Sequence, residues 1–259
     1  MDGFVFCSDT EGSSTNFKAF RRKVLSPVTG RCRWIYTGAG DADFLDMAAR
    51  KIEERVRATK VDSIDGFTDI VEDVIVSVYE RNIAAYPDDE KPSFSMIIGV
   101  AAGDRTELLR TNVTSVVRGA SHECVGIGSP LGKFIIDKLE STVTDSIEAT
   151  IISMYMLQQV RRYAPNCGGF SQVFRLLTEE GLGVRYFGIV TQTEIEAWES
   201  FFVKSESLAR RFVIGYNHDW EPSRILNDAR KLLRSVTKLP KPYTESDDFF
   251  KRMRDDSND

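Results

Sequence analysis

Several positions in the chain carry groups that could do chemistry beside apolar segments. Asp9 follows the apolar stretch 4–7, and Lys23 directly precedes Val24-Leu25, which would hold the base of its side chain. Gly38-Ala39-Gly40 ends another apolar stretch, and Ser129 stands between Gly128 and Pro130. Each position also has a structural explanation: a carboxylate that binds turn N–H groups, a solvated lysine, a tight turn, and a helix N-cap. The residues alone leave both roles open.

The cysteines and histidines do not indicate a metal site. The four cysteines are scattered and form no CxxC pair, and the sequence has only two histidines, His122 and His218. We therefore expect no zinc site, no other metal and no cofactor. The cysteines are interpreted as reduced, mostly buried residues of a cytoplasmic protein. His122 and His218 are interpreted as ordinary, partly buried histidines.

Composition excludes some classes of partner. The chain has 259 residues, 42% of them hydrophobic, and a net charge of -5. This size and apolar content suit one large domain, or one domain with an appendage. An acidic chain is a poor general binder of nucleic acid, because neutralising phosphates requires a basic surface. Since no apolar run approaches the length of a membrane span, we expect no membrane partner either.

Apolar residues recur with strand and helix periods in separate blocks. Strands are predicted near 4–7, 33–37, 93–101, 107–111, 114–117, 123–127, 173–177 and 184–190, and helices near 44–56, 67–78, 131–139 and 145–163. Blocks of strands and paired helices favour an α+β fold with mainly antiparallel sheets. Two sheets face to face, with a helix pair on each outer side, would bury every apolar stripe. The sequence therefore predicts a four-layer αββα sandwich.

Composition changes after Thr191. Two helical patterns follow, at 193–212 and 222–236, and the last residues are polar and charged. We interpret residues 1–190 as the main domain and 191–259 as a C-terminal helical appendage with a polar tail.

A series of motifs resembles the proteasome-type N-terminal-nucleophile (Ntn) hydrolases. Asp2-Gly3-Phe4-Val5-Phe6-Cys7-Ser8-Asp9 is similar to the family's DGxVxxxD strand, and Lys23 heads a second strand. Gly38-Ala39-Gly40-Asp41-Ala42-Asp43 is similar to the small-residue loop that opens a helix. Gly126-Ile127-Gly128-Ser129 resembles the GxGS turn, and Cys167-Gly168-Gly169 resembles the SGG motif. Over residues 2–190 the chain thus resembles the proteasome β subunits and their bacterial proteasome-like relatives.

The resemblance implies an αββα sandwich and a mechanism. In the family an N-terminal threonine attacks a peptide carbonyl, and its own α-amine acts as the base. By resemblance, Lys23 lowers the proton affinity of the hydroxyl, Asp9 orients that lysine, and Ser129 fixes the amine or a water molecule. Backbone N–H groups of Gly38-Ala39-Gly40 would form the oxyanion hole.

The chain departs from this pattern at two places. The family's threonine lies on a strand that precedes the Asp-Gly pair, whereas this sequence opens with Met1 and then Asp2-Gly3, a dipeptide typical of hairpin turns. Ala164 and Cys167 replace the acid and the serine of the family's SGG region. Either further N-terminal residues carry a Thr, Ser or Cys nucleophile, or the chain is a non-catalytic relative.

The leading hypothesis is a threonine-type endopeptidase subunit that hydrolyses peptides or unfolded proteins in a cytoplasmic homo-oligomeric ring. The first alternative is an inactive structural subunit with the same fold. The second is an unrelated α+β enzyme whose motifs match by chance.

Overall fold

The computed structural model describes residues 2–13, 18–20, 25, 32–103, 105–143, 145–179, 183–215 and 222–240. These residues form nine strands and six α-helices. The strands are β1 (Asp2–Asp9), β2 (Glu11–Ser13), β3 (Lys18–Phe20), β4 (Arg33–Gly40), β5 (Phe94–Ala102), β6 (Arg105–Asn112), β7 (Ser115–Arg118), β8 (Ser171–Glu179) and β9 (Gly183–Ile189). The helices are α1 (Ala42–Thr59), α2 (Ile64–Val78), α3 (Ser129–Leu139), α4 (Ser146–Tyr163), α5 (Gln192–Gly215) and α6 (Pro222–Val236). The α+β class is therefore confirmed.

Two larger antiparallel sheets organise the fold. One is the meander β4-β5-β6-β7, in which each strand pairs with the next along the chain. The other has the order β1-β8-β9, so the first strand of the chain pairs with one that follows α4. The short strands β2 and β3 pair with each other. Within the described residues β1 has a partner on one side only, and it forms an edge of its sheet.

One face of the meander is covered by α1 and α2. Trp34 in β4 is fully buried, stacks on Tyr36 at 5.3 Å between ring centroids, and lies 5.5 Å from Phe67 of α2. The apolar stripes of the two helices, including Ile52 and Val71, complete this core. Burial of these large side chains supplies most of the driving force that holds the helices on the sheet.

The opposite face of the meander packs against the β1-β8-β9 sheet. A second apolar core contains buried residues from both sheets: Phe6, Ile35, Ile97, Ala101, Phe174 and Leu176. Gly99 in β5 allows a close approach, because a Cβ atom there would lie 2.8 Å from ring carbons of both Phe4 and Phe6. The phenylalanines of β1 therefore occupy the space that a side chain on β5 would need.

The helix starts follow ordinary capping chemistry, with one correction. Asp41 and Asp145 cap α1 and α4 by accepting hydrogen bonds from backbone N–H groups of the first turn. The predicted N-cap Ser129 is wrong, since Gly128 is the N-cap of α3 and no side chain caps that helix. The predicted strand at 123–127 is also absent, and this segment is an irregular connection that leads into α3.

The expected turn at Asp2-Gly3 is not observed. Both residues extend β1, where they pair with Thr178 and Leu177 of β8. Helix α4 ends at Ala164, which has an extended conformation.

The chain divides into two compact units, residues 1–192 and 193–259. In the second unit Trp198, Phe201 and Phe202 of α5 form an aromatic cluster, and the Trp198 indole N–H donates to the Pro240 carbonyl at 3.1 Å. Assignment of these units to a catalytic domain and an appendage stays a prediction. Among the described residues no helix has the length and apolar character needed to cross a bilayer.

We predict that Gly99→Val destabilises the protein by about 1–3 kcal/mol, because the added side chain overlaps Phe4 and Phe6. Valine is otherwise preferred to glycine in a strand, so the sign of the change reports the contact between the sheets. The free energy of unfolding in urea would measure it. Val117→Ala on exposed β7 is the control and should change stability by less than about 0.5 kcal/mol. Stabilisation by Gly99→Val would contradict the packing.

Candidate active site

The end of β1 is fixed to the loop that follows α4. One carboxylate oxygen of Asp9 accepts a hydrogen bond from the Gly168 backbone N–H at 2.9 Å. The next residue, Thr10, exchanges two hydrogen bonds with Phe170: its N–H donates to the carbonyl at 3.0 Å, and its hydroxyl accepts from the N–H at 2.9 Å. The position of the Asp9 carboxylate therefore depends on a loop residue 159 positions later in the sequence.

The end of β4 makes a tight turn against the start of β5. Gly40 has φ +102°, a conformation that glycine adopts without strain. A Cβ atom at Gly40 would lie 2.7 Å from the Phe94 Cα atom, and the Asp41 N–H donates to the Ser93 carbonyl at 2.8 Å. This close approach holds the backbone of Gly38-Ala39-Gly40 beside the first turn of α1.

The turn before α3 contacts both of these regions. The Ser129 N–H closes the turn by donating to the Gly126 carbonyl at 3.0 Å. A Cβ atom at Gly126 would lie 3.0 Å from the Ala39 Cβ, and one at Gly128 would lie 3.1 Å from the Cys167 Sγ. The turn therefore joins the end of β4 to the loop that holds Asp9.

These three regions line one cavity of about 1350 Å³, which also extends along β1 and α4. Its lining includes Asp9, Gly38-Ala39-Gly40 and Ser129, so the structure brings five of the six predicted site residues to one space. The sixth, Lys23, lies outside the described residues. The catalytic role of each residue stays a prediction.

The outer edge of β1 runs along this cavity. In an antiparallel ladder, successive residues alternate between hydrogen bonding to the partner and facing away from it. The Thr10 backbone N–H donates to the Phe170 carbonyl. Phe4, Phe6 and Ser8 lie an even number of residues from Thr10, so their backbone groups also point toward β8. The backbone groups of the alternate residues Gly3, Val5 and Cys7 therefore point away from β8. All three residues line the cavity.

Burial makes two cavity cysteines poor nucleophiles. Burial, with a smaller contribution from Cys124, raises the pKa of the Cys7 thiol to about 12, and burial raises the pKa of Cys124 to about 11. Both thiols are therefore protonated at neutral pH, and the thiolate is the reactive form. None of the four cysteines forms a disulfide in the structure; Cys32 is buried and the other three are half-buried.

Sequence reasoning missed three polar residues of the cavity wall. Ser121, His122 and Glu140 also line it. The only sequence signal was His122, a single histidine with no second histidine nearby, and it was interpreted as an ordinary residue. The carboxylate partners of His122 are 15 and more positions away, so only the tertiary structure reveals the cluster.

We predict that Gly40→Ala costs about 3 kcal/mol of stability, because the new methyl group meets the Ser93 and Phe94 backbone and the φ angle is strained. Gly103→Ala is the matched control. It also has a positive φ, +61°, but open space around the Cβ position, so only about 1 kcal/mol should be lost. Urea unfolding of both variants would measure the difference. Equal losses would contradict the close approach at Gly40.

Comparison with solved structures gives fold relatives. The "Helical Assembly of the Anbu Complex" from Pseudomonas aeruginosa superposes with a TM-score of 0.65 at 16% identity, covering 80% of this chain and 91% of that one. Anbu, described as an ancestral beta-subunit, from Yersinia bercovieri gives 0.65 at 14%, covering 82% and 92%. An Anbu Gly-1 mutant from Hyphomicrobium sp. strain MC1 gives 0.62 at 14%, covering 81% and 91%. No protein-family model and no curated protein sequence matches the chain.

These matches correct the family assignment made from the motifs. The solved relatives are Anbu proteins, which resemble the proteasome-type Ntn hydrolases in fold but form a distinct family. The short motifs could not separate the two, because the families are related. Assignment to the proteasome β subunits and their bacterial proteasome-like relatives is therefore wrong. Because the sequence identity is only 14–16%, the comparison shows that the chain shares the fold of the Anbu proteins and shows nothing further.

Proposed function

We propose that this chain is a subunit of an Ntn-type amide hydrolase with the Anbu fold, and that it cleaves peptide bonds in peptides or unfolded proteins. The nucleophile would be an N-terminal Thr, Ser or Cys on a strand that pairs with the outer edge of β1. One observation carries this proposal: β1, an edge strand within the described residues, lines a cavity that Asp9, Gly40 and Ser129 also line.

A strand beside β1 would satisfy two physical requirements. Backbone N–H and C=O groups at a sheet edge need hydrogen-bond partners, and an added strand supplies them. The cavity of about 1350 Å³ offers room along β1 for its side chains. Pairing with β1 would bring one end of the new strand close to Asp9. The regular hydrogen bonds of the ladder would hold that end in place.

The surrounding groups fit the roles that the chemistry requires. The α-amine of the nucleophile takes the hydroxyl or thiol proton as the oxygen or sulfur attacks the carbonyl carbon, and it then protonates the leaving amine. Backbone N–H groups of Gly38-Ala39-Gly40 would stabilise the oxyanion. The Asp9 carboxylate, held by Gly168 N–H, would orient the Lys23 ammonium. The Ser129 hydroxyl does not cap α3, which supports a role for it in the cavity.

We extend the proposal to architecture and assembly. The helices α1 and α2 on the meander and the contacts of α4 with β1 and β8 support an αββα order of layers. Assembly of identical subunits is supported by the helical assembly described for the Pseudomonas relative. One head-to-tail interface gives a closed ring or an open helix, depending on its rotation. The four free thiols support a cytoplasmic location.

A second candidate is a non-catalytic subunit, and two residues favour it. Ala164 and Cys167 stand where the resemblance places an acid and a serine near the catalytic amine. Ala164 is the C-cap of α4, and Cys167 lies against Gly128, so both have structural positions. A network without these polar groups would hold an amine less firmly.

We predict that the protein isolated from its own cells hydrolyses fluorogenic peptides, and that Asp9→Asn and Ser129→Ala each lower kcat at least about tenfold. Asparagine can still accept the Gly168 hydrogen bond, so Asp9→Asn should remove the charge and leave the fold intact. Initial rates on a peptide panel would measure the effect.

The matched control is Asp88→Asn, which removes an exposed carboxylate paired with Lys91 at 2.6 Å and should leave the rates unchanged. Hydrolysis that survives Asp9→Asn and Ser129→Ala would contradict the assigned site. A folded protein that lacks all hydrolysis would favour the non-catalytic subunit.

A further inference from the structure

A cluster of four polar side chains lies where the loop after β7 meets the end of α3. The His122 Nε2 lies 2.9 Å from an Asp137 carboxylate oxygen, and its Nδ1 lies 3.4 Å from a Glu140 oxygen. Ser121 donates a hydrogen bond of 2.5 Å to the same Glu140 oxygen and lies 3.2 Å from the His122 Nδ1. One ligand atom from each of His122, Asp137 and Glu140 can be chosen so that all three lie within 4.8 Å of one another.

We propose that this cluster binds a divalent transition-metal ion, Zn²⁺ or Mn²⁺, through His122, Asp137 and Glu140. An imidazole nitrogen with two carboxylates is a donor set that suits these ions, and the Ser121 hydroxyl or water would complete the coordination. The sequence-based expectation of no metal rested on the shortage of histidines. A single histidine is sufficient when two carboxylates converge on it.

The charges around the cluster favour a cation. With a neutral imidazole the two carboxylates give the cluster two negative charges. Nearby lysines are engaged elsewhere: Lys133 pairs with Glu123 at 2.9 Å, and Lys138 lies over the Phe134 ring at 5.7 Å.

The cluster also joins two separate segments, which distinguishes it from acidic residues along one helix face. His122 comes from an irregular loop, while Asp137 lies in α3 and Glu140 begins the single 3₁₀ turn after it. His122 precedes the Gly126–Ser129 turn, and Asp137 and Glu140 follow it. A bound ion would therefore connect the segments before and after that turn. Because Ser121, His122 and Glu140 line the large cavity, a molecule in the cavity could approach the ion.

A serine-hydrolase triad is the other arrangement that these residues suggest, and the hydrogen bonds disfavour it. The Ser121 hydroxyl donates to Glu140, so it does not offer its proton to the imidazole. His122 has a carboxylate at each ring nitrogen, Asp137 at Nε2 and Glu140 at Nδ1, whereas a triad requires only one. The second carboxylate is unexplained in a triad and is a ligand in a metal site.

Titration of the tag-free, chelator-treated full-length chain with Co²⁺, followed by Zn²⁺ and Mn²⁺ competition, tests this proposal. We expect one ion per chain, with visible d–d absorption for Co²⁺. The variants His122→Gln, Asp137→Asn and Glu140→Gln should each weaken the affinity at least about tenfold. The two carboxylates are exposed, so their variants should fold even if His122→Gln does not.

The matched control is Asp73→Asn on α2, an exposed carboxylate paired with Arg55 at 3.3 Å, which should leave the affinity unchanged. Absence of one-to-one binding, or equal binding by Asp73→Asn and the two carboxylate variants, would overturn the proposal. Because metal binding is read directly, the result is independent of peptide hydrolysis.

Discussion

The pairing of β1 with β8 is the constraint on which the candidate site depends. It joins the first strand of the chain to a strand that follows α4, in a ladder that runs from Asp2 opposite Thr178 to Asp9 opposite Ser171. Closing such a large loop costs conformational entropy, so the contacts that result must repay it. Phe6 and Phe174, buried between the sheets, provide part of that stabilisation. The same ladder holds Asp9 against Gly168 and leaves the other edge of β1 along the cavity.

The cavity follows from how three connections end on this frame. The turn after β4, the turn before α3 and the loop after α4 meet because glycines permit backbone contacts that side chains would block, as at Gly40 and Gly128. This close approach brings residues of all three connections to the wall of one cavity. The polar wall around His122 adds a second chemical feature to the same space. The two apolar cores thus lie apart from the connections that line the cavity.

Local sequence patterns predicted elements well and tertiary arrangements poorly. The helix expected at 145–163 is observed as Ser146–Tyr163, because a capping aspartate and an apolar stripe act locally. The strand expected at 123–127 is not observed: Gly126 has φ +95°, which is not strand geometry, and Glu123 forms ion pairs with Arg110 and Lys133 in an irregular loop. Ordered motifs grouped five site residues that the structure brings to one cavity, yet could not separate related families. The cluster at His122 escaped prediction because its ligands come from distant positions.

The central claim is that a strand carrying an N-terminal nucleophile pairs with the outer edge of β1. The most direct test is the N-terminal residue of the protein isolated from its own cells, determined by intact mass and N-terminal sequencing. We expect a free Thr, Ser or Cys on a segment that precedes Asp2. A mature chain that begins at Met1 would contradict the claim, since its terminus would lie on β1 itself and could not supply that strand.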